Sequence, residues 1–343
     1  MTSQGPYTAA HFHPQGPGDA RPTALDIIHD QNLTNTLQGK TIVITGATSG
    51  IGLETARAIS ESGATLLLTA RDIPRAQSAL SDILAKGCVR LVEMDNSRLE
   101  SIRKAAGDIL ALGKGKVNVL ICNAGVMGVQ ELALTEDGFE MHFGTNYLGH
   151  FLLFQLLKNA LLAGSTESFN SRVVVVASSA QRAGHVLPGW DWNFTSPESR
   201  YDWNVAYANS KLASVYMANE IERRYGSQGL HALSLHPGAI NSGIARHIGQ
   251  GFVDMLLSDE NVVRVLKSPE QGAATTVVAA VGREWEGRGG KYLEDCEEAE
   301  TGIDDENVFG RGFVDRTYNE VVEGWLWGAS MGLVGLEGRV NCT

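Results

Sequence analysis

The chain has 343 residues, of which 43% are hydrophobic and 20% are charged, and its formal net charge is -11. This composition is typical of a globular protein with a substantial core, and the acidic balance disfavours nonspecific binding to nucleic acid or to anionic membranes. No apolar run reaches the roughly 18 residues that span a bilayer, and the start of the chain lacks a signal-peptide core. The four cysteines have no metal-ligand spacing. We therefore expect a cytoplasmic protein with no metal site.

Strands and helices are predicted to alternate along most of the chain. Residues 1–22 contain four prolines and predict a flexible tail. Apolar strands are predicted at 41–45, 65–69, 89–94, 117–122, 172–177, 231–236 and 290–293, and helices at 24–37, 50–61, 72–86, 99–112, 138–162, 205–224 and 269–281. This order predicts an α/β fold with a Rossmann-type doubly wound parallel sheet, formed by a single domain with a C-terminal helical extension.

The domain is predicted to cover residues 23–330, and residues 331–343 to form a C-terminal tail. Residues 182–204 and 240–268 are irregular and interrupt the alternation. Such segments between regular elements often line a substrate site, so both are predicted to be substrate loops.

A glycine-rich turn follows the first predicted strand. Gly46 allows a tight turn, while Gly50 and Gly52 allow a pyrophosphate to approach the backbone at a helix N-terminus. The intervening Thr48, Ser49 and Ile51 belong to the same candidate dinucleotide site. The alternative is a βα turn with no ligand, which the placement between strand and helix disfavours.

Tyr207 and Lys211 lie four residues apart in a predicted helix, so they share one face. A free tyrosine has a pKa near 10, and a nearby cation lowers the pKa and favours proton exchange. The pair is therefore a candidate acid/base centre. A solvent-exposed helix face is the alternative for this spacing taken alone.

Five motifs occur in an order that resembles the short-chain dehydrogenase/reductase family: Thr45-Gly46-x-x-x-Gly50-x-Gly52, Asn123-Ala124-Gly125, a serine after the fifth strand, Tyr207-x-x-x-Lys211 and Pro237-Gly238. The chain looks most like the retinol-dehydrogenase and WW-domain-oxidoreductase branch and its fungal relatives in secondary metabolism. The resemblance implies hydride transfer between a nicotinamide cofactor and a carbonyl or alcohol.

The resemblance also implies the roles of the catalytic residues. Tyr207 would donate the proton, Lys211 would tune Tyr207 and bind the nicotinamide ribose, and Asn146 would hold a water in a proton relay. Ser178 and Ser179 both follow the fifth strand, and matching to the family favours Ser179 as the group that polarises the substrate carbonyl.

Further cofactor contacts are implied by the same matching. Asp95 corresponds to an adenine contact, and the Asn123-Ala124-Gly125 motif to the edge of the cofactor cleft. Pro237, Gly238, Ile240 and Ser242 correspond to the nicotinamide turn. Arg71, at the end of the second strand, can pair with a 2′-phosphate, whereas its rival Asp72 precedes Pro74 and suits a helix cap. We therefore expect NADP rather than NAD.

The sequence thus predicts an NADP-dependent oxidoreductase acting on a small to medium apolar substrate. Two alternatives stay open: a non-redox biosynthetic catalyst on the same fold, such as a cyclase or dehydratase, and a cofactor-binding scaffold. The resemblance further implies a homodimer formed through the helices predicted at 138–162 and 205–224. The tryptophans between Ser179 and Tyr207 either line the substrate site or pack on the surface.

Overall fold

A computed structural model describes residues 5–240, Ile244, Asp254 and residues 257–337. Within these residues, eight strands form one sheet in the order β3-β2-β1-β4-β5-β6-β7-β8. They are β1 Thr41–Thr45, β2 Thr65–Ala70, β3 Val89–Glu93, β4 Val119–Cys122, β5 Ser171–Val176, β6 Leu230–His236, β7 Lys291–Glu294 and β8 Glu297–Glu298. The first seven strands are parallel, and β8 pairs with β7 in antiparallel register.

The helices within the described residues are α1 Thr8–His11, α2 Ala24–Asp30, α3 Gly50–Ser60, α4 Ile73–Ala79, α5 Ser81–Leu84, α6 Leu99–Leu112, α7 Gly149–Gly164, α8 Trp203–Tyr225, α9 Glu260–Val265, α10 Pro269–Gly272, α11 Ala274–Val281 and α12 Glu320–Leu333. A π-helical turn, Phe143–Leu148, precedes α7, and a 3-10 turn, Ser179–Ala183, follows β5.

Two hydrophobic cores lie on opposite faces of the sheet. One contains Val43 of β1 with buried residues of α6, α7, α8 and α12. The other contains Ile42 and Ile44 of the same strand with residues of α2, α3 and α11. Because successive side chains of a strand point to opposite faces, a strand covered on both faces needs a continuous apolar run. This explains the Thr41–Thr45 sequence and confirms the predicted fold class.

Residues 5–22 depart from the predicted flexible tail. The side chain of Arg21 is almost fully buried and donates hydrogen bonds to the carbonyl oxygens of Val265, at 2.9 Å, and of Leu266. Gln271 donates to the carbonyl oxygens of Asp19 and Arg21, at 3.1 Å each. The glycines and prolines of this segment prevent long helices and strands, but they do not prevent packing against the domain.

The C-terminal helix α12 extends past the predicted domain boundary at residue 330. Its Trp327 packs edge-on against Phe151 and Phe154 of α7, with ring centroids 5.0 and 5.9 Å apart, and Arg224 of α8 lies over the same indole. Beyond the helix, Val334 is also buried. The helix α12 therefore covers part of the surface where the sequence predicts a dimer interface.

No helix within the described ranges is long and apolar enough to cross a membrane. The same residues contain no group of three or more His, Cys, Asp or Glu side chains placed to hold a metal ion.

Candidate active site

A cavity of about 910 Å³ opens at the carboxyl ends of the parallel strands. The strand order reverses between β1 and β4, and open α/β sheets bind their ligands in the crevice at such a reversal. The cavity collects most of the predicted site residues: Gly46, Thr48, Ser49, Gly50, Ile51, Gly52, Arg71, Asp95, Asn123, Ala124, Gly125, Ser178, Ser179, Tyr207, Lys211, Pro237, Gly238 and Ile240.

The glycine-rich turn between β1 and α3 has a backbone that only glycine fits. Gly46 has φ +68° and Gly50 has φ +55°, both in the left-handed region. A Cβ at Gly46 would lie 2.8 Å from Cα of Ala124, and one at Gly52 would lie 2.4 Å from the Gly46 carbonyl oxygen. The turn leaves the N–H groups at the start of α3 facing the cavity, where they can bind a pyrophosphate. The residues present therefore fit a dinucleotide cofactor.

Arg71 and Asp72, the two rivals for the adenosine ribose, have different surroundings. Oδ1 of Asp72 accepts a hydrogen bond of 3.0 Å from the backbone N–H of Arg75 and caps α4. This agrees with the capping role predicted for Asp72. Arg71 lines the cavity, where its guanidinium is available to a phosphate.

Asn123 ties the end of β4 to the glycine-rich turn. Its Nδ2 donates to the carbonyl oxygens of Thr45, at 2.8 Å, and of Gly46, at 3.2 Å. The Thr45 hydroxyl in turn accepts from the backbone N–H groups of Asn123 and Ala124, at 2.9 Å each. These bonds hold two cavity walls at a fixed separation. Asp95, which also lines the cavity, accepts from the Ser97 backbone and hydroxyl, at 2.9 and 2.7 Å, which fixes its carboxylate.

Tyr207 and Lys211 lie on the buried face of α8, as their spacing predicts. Nζ of Lys211 lies 5.7 Å from the centre of the Tyr207 ring and donates 2.9 Å to the carbonyl oxygen of Val176 at the end of β5. Burial lowers the pKa of Lys211 to about 8. Burial also raises the pKa of Tyr207 to about 12, which is opposite to the direction that the sequence predicts. Desolvation of the hydroxyl dominates, so Tyr207 carries its proton at neutral pH.

The serine beside Tyr207 is Ser178, where the sequence favours Ser179. The Ser178 side chain lies near enough to the Tyr207 hydroxyl to favour the phenolate, which partly offsets the burial that raises the pKa of Tyr207. Ser178 also caps the 3-10 turn, accepting 3.2 Å from the N–H of Ala180. The strand ends at Val176, and the first serine after it points to Tyr207 while the second begins the turn. Ser178 is therefore the better placed of the two to act with Tyr207, and the role of Ser179 stays a prediction from the sequence.

Asn146 lies in the π-helical turn before α7, deep in the structure. Its Oδ1 accepts 2.8 Å from the N–H of Val126, and its Nδ2 donates 3.1 Å to the carbonyl oxygen of the same residue and 2.9 Å to Oγ of Ser210. The side chain thus holds the irregular segment after β4 against α8. Such π-turns within helices occur frequently at functional sites.

His150 connects the π-helical turn that contains Asn146 to the end of β1, a contact that sequence reasoning missed. Its Nδ1 bonds to the Asn146 carbonyl oxygen at 2.8 Å, and its Nε2 to the Thr45 hydroxyl at 2.9 Å. Since a carbonyl only accepts, the proton is on Nδ1 and the threonine donates to Nε2. Burial lowers the pKa of His150 to about 4, so the ring is neutral at physiological pH. The spacing Asn146-x-x-x-His150 carries the signal, because it places both residues on one helix face.

The turn after β6 lies at the far end of the cavity. Gly238 has φ +103°, and a Cβ there would lie 2.7 Å from Cδ of Lys267. Lys267 is buried, and its Nζ donates 2.8 Å to Oδ1 of Asp295. Ser242, predicted to contact the carboxamide, lies outside the described residues.

The predicted substrate loops contribute unequally to the cavity. From residues 182–204, Trp203 and Asn204 line it, whereas Trp190 and Trp192 pack against Phe143, with ring centroids 5.3 and 5.4 Å apart. Trp203 thus lines the cavity, while Trp190 and Trp192 pack against the hydrophobic core. From residues 240–268, the cavity lining includes Ile240, Ile244, Leu257, Val262 and 265–267.

Two further segments line the cavity. They are the N-terminal residues His11, Phe12, Pro14 and Arg21, and the C-terminal residues Val308, Phe309, Gly310 and Arg311. No motif marks either segment, since their contribution depends on contacts across 100 or more residues of sequence.

Comparison with known proteins decides the family. Residues 40–188 match the family model described as short chain dehydrogenase. Over 332 residues the chain is 43% identical to short-chain dehydrogenase/reductase prx1 of Penicillium rubens, covering 97% of this chain and 96% of that protein. The chain belongs to the short-chain dehydrogenase/reductase family.

Other members of this family extend the likeness. Retinol dehydrogenase 13 of Mus musculus is 34% identical over 308 residues, or 88% of this chain and 85% of that protein. A solved structure of an uncharacterized protein from Mycobacterium paratuberculosis is 30% identical, with a TM-score of 0.64, and covers 89% of this chain and 97% of that one. The resemblance stated from the sequence is confirmed, and the chain is an oxidoreductase of the family that acts on CH–OH and C=O groups and binds a nicotinamide cofactor.

Proposed function

We propose that the protein is an NADP(H)-dependent enzyme that reduces a carbonyl group to an alcohol, or catalyses the reverse, on a small to medium apolar substrate. The observation that carries the proposal is the buried Tyr207, one helical turn from Lys211, which lines the same cavity as Ser178 and the glycine-rich turn. A bound nicotinamide supplies or accepts the hydride at the substrate carbon.

The residues of the chain handle the substrate oxygen and its proton. Ser178 and Tyr207 hold the carbonyl oxygen between two hydroxyl groups and so orient the carbon. Tyr207, protonated at neutral pH, donates its proton to that oxygen as the C=O bond is reduced. Lys211 and Asn146 are the proposed route by which the proton is replaced.

The preference for NADP rests on Arg71. Its guanidinium lines the cavity while Asp72 is engaged in capping α4, so the adjacent charge is basic. A 2′-phosphate is favoured by a forked cation and disfavoured by a carboxylate. A cytoplasmic location, a homodimer and a role in secondary metabolism remain predictions from the sequence.

Substitution Tyr207→Phe tests the proposed reaction. We expect turnover of carbonyl substrates to fall at least about 100-fold, because the proton donor is removed, with NADPH affinity changed less than threefold. Tyr225→Phe on the same helix is the matched control and should retain full activity. Product formation without NADPH in the wild type would instead support a cyclase or dehydratase, and strong residual activity in Tyr207→Phe would contradict the proposed role.

A further inference from the structure

Arg182 is a buried cation that follows the catalytic serine by four residues. Its side chain is 2% exposed. The guanidinium does not point to the catalytic hydroxyls but crosses to a distant segment, residues 303–311. There it donates 2.9 Å to the carbonyl oxygen of Asn307, 2.7 Å to that of Arg311 and 3.0 Å to Oδ1 of Asp305, and it also bonds to the carbonyl oxygen of Ile303.

The 303–311 segment contains no helix or strand. Its backbone carbonyls therefore lack the partners that regular structure provides, and Arg182 supplies three of them. The contact is close, because a Cβ at Gly310 would lie 2.7 Å from Nη2 of Arg182 and one at Gly302 would lie 2.4 Å from Nη1. The segment is packed directly onto the guanidinium.

Arg316 joins the same two segments from the other side. Its Nη1 pairs with both carboxylate oxygens of Asp304, at 2.7 and 2.6 Å, and its Nε donates 3.0 Å to the carbonyl oxygen of Gly184. A further bond runs to the carbonyl oxygen of Arg182. Two arginines thus connect the 3-10 turn after Ser178 to one irregular segment.

The fastened segment presents apolar side chains to Tyr207. Val308 packs in the small cluster that contains Tyr207, Met127 and Trp203. Phe309 lines the same cavity and is 72% exposed. An aromatic side chain this exposed, on a segment fastened to a buried cation and in the lining of the cavity, has apolar surface available to a ligand.

We propose that Arg182 is a positioning residue that holds Val308 and Phe309 as the substrate wall, and that this wall selects a carbonyl compound with a bulky apolar body. The inference rests on the proposed function for the reaction itself. It adds the part of the chain that recognises the substrate and the chemistry that is recognised.

The experiment compares 2-acetylnaphthalene, a bulky apolar ketone, with acetone. For Phe309→Ala we expect the KM for 2-acetylnaphthalene to rise about tenfold with kcat within threefold, because an aromatic contact is lost in ground and transition states alike. The kcat/KM for acetone should be unchanged. Ile303→Ala is the matched control, since Ile303 is on the same segment and 78% exposed but does not line the cavity.

Arg182→Lys tests the fastening. This variant keeps the positive charge but cannot make the several hydrogen bonds of the guanidinium, so the 303–311 segment should be held less firmly. We therefore expect the KM for 2-acetylnaphthalene to rise more than the KM for acetone, with NADPH affinity unchanged. An equal fall of kcat for both ketones would overturn the positioning role. An unchanged KM for 2-acetylnaphthalene in Phe309→Ala would show that Phe309 does not form part of the substrate wall.

If the proposed reaction is wrong, the substrate wall can still be tested by ligand binding alone. If the wild type reduces neither ketone, equilibrium dialysis of 2-acetylnaphthalene against the NADPH-saturated protein decides the inference. Binding that weakens about tenfold in Phe309→Ala but not in Ile303→Ala supports the wall without the reaction. Absence of binding to the wild type overturns it.

Discussion

Two adjacent hydroxyl groups, those of Ser178 and Ser179, lie at the end of β5, and only their local geometry distinguishes them. Both line the cavity, but it is the Ser178 side chain that lowers the pKa of the Tyr207 hydroxyl against the effect of burial. The order of the motifs predicts a catalytic serine after β5, but it does not distinguish Ser178 from Ser179. What distinguishes them is where β5 ends and which hydroxyl caps the following 3-10 turn.

Ser178→Ala should lower kcat for carbonyl reduction about 100-fold or more, because a hydrogen-bond donor to the developing oxyanion is lost. Ser179→Ala, the neighbouring control, should stay within about threefold of the wild type. Steady-state kinetics at saturating NADPH measures both. The reverse ranking would restore the original assignment to Ser179.

The protonation of Tyr207 predicts a difference between the two directions of the reaction. Its pKa, raised to about 12 by burial, lies above the working range. Between pH 6 and 7, below the pKa of about 8 of Lys211, the protonated form needed for reduction is therefore constant, while the phenolate needed for oxidation increases about tenfold per pH unit. We expect a flat kcat profile for reduction over this range and a slope near +1 for log kcat of alcohol oxidation. Parallel profiles in the two directions would contradict this account.

Among the elements, those with strong apolar periodicity were predictable. The strand Thr41–Thr45 and the helix Leu99–Leu112 occur where the sequence predicts them. The strand is a short continuous apolar run, and the helix has apolar residues at helical spacing. The predicted helix at 138–162 instead contains a π-helical turn, Phe143–Leu148, which no side-chain pattern marks. The short antiparallel strand β8 was missed because two residues are too few to form a pattern.

The turn between β1 and α3 was predictable for a different reason, since glycines at this spacing indicate a backbone conformation that other residues rarely adopt.

Gly52→Ala would place a Cβ 2.4 Å from Nδ2 of Asn123 and from the Gly46 carbonyl oxygen. We expect NADPH affinity to fall at least about tenfold as the turn shifts. Gly107→Ala is the control in α6: nothing lies within 4 Å of its Cβ position, and the helix should gain up to about 1 kcal/mol. Fluorescence titration with NADPH compares the two, and unchanged affinity in Gly52→Ala would contradict a cofactor role for the turn.

For the whole molecule, the C-terminal helix α12 completes the core on the face formed by α7 and α8. Its Val322, Leu326 and Trp327 belong to the same buried cluster as the residues of those helices. The sequence predicts a homodimer on this face because it resembles a family in which these helices associate. The covering by α12 depends on a contact about 100 residues away along the chain, which no local pattern reveals.

Trp327→Ala should lower the free energy of unfolding by about 3–5 kcal/mol, since a large side chain leaves the buried cluster. Val321→Ala on the same helix is the control, because Val321 is 80% exposed and should change stability by no more than about 0.5 kcal/mol. Urea unfolding followed by far-UV circular dichroism measures both. A near-zero effect of Trp327→Ala would mean that α12 does not belong to the cooperative unit.

The bridge from Thr45 through His150 to Asn146 makes the protein sensitive to acid. In the folded chain the pKa of His150 is lowered to about 4, against an ordinary value of 6.5. The unfolded chain therefore binds the extra proton first, so the stabilisation present above pH 6.5 is lost as the pH falls from 6.5 towards 4, on the order of 3 kcal/mol in all. His150→Gln should flatten the dependence of unfolding free energy on pH in this window, and an unchanged slope would contradict it. A side chain that joins the two halves of the active site thus also sets a lower limit on the acidity in which the enzyme stays folded.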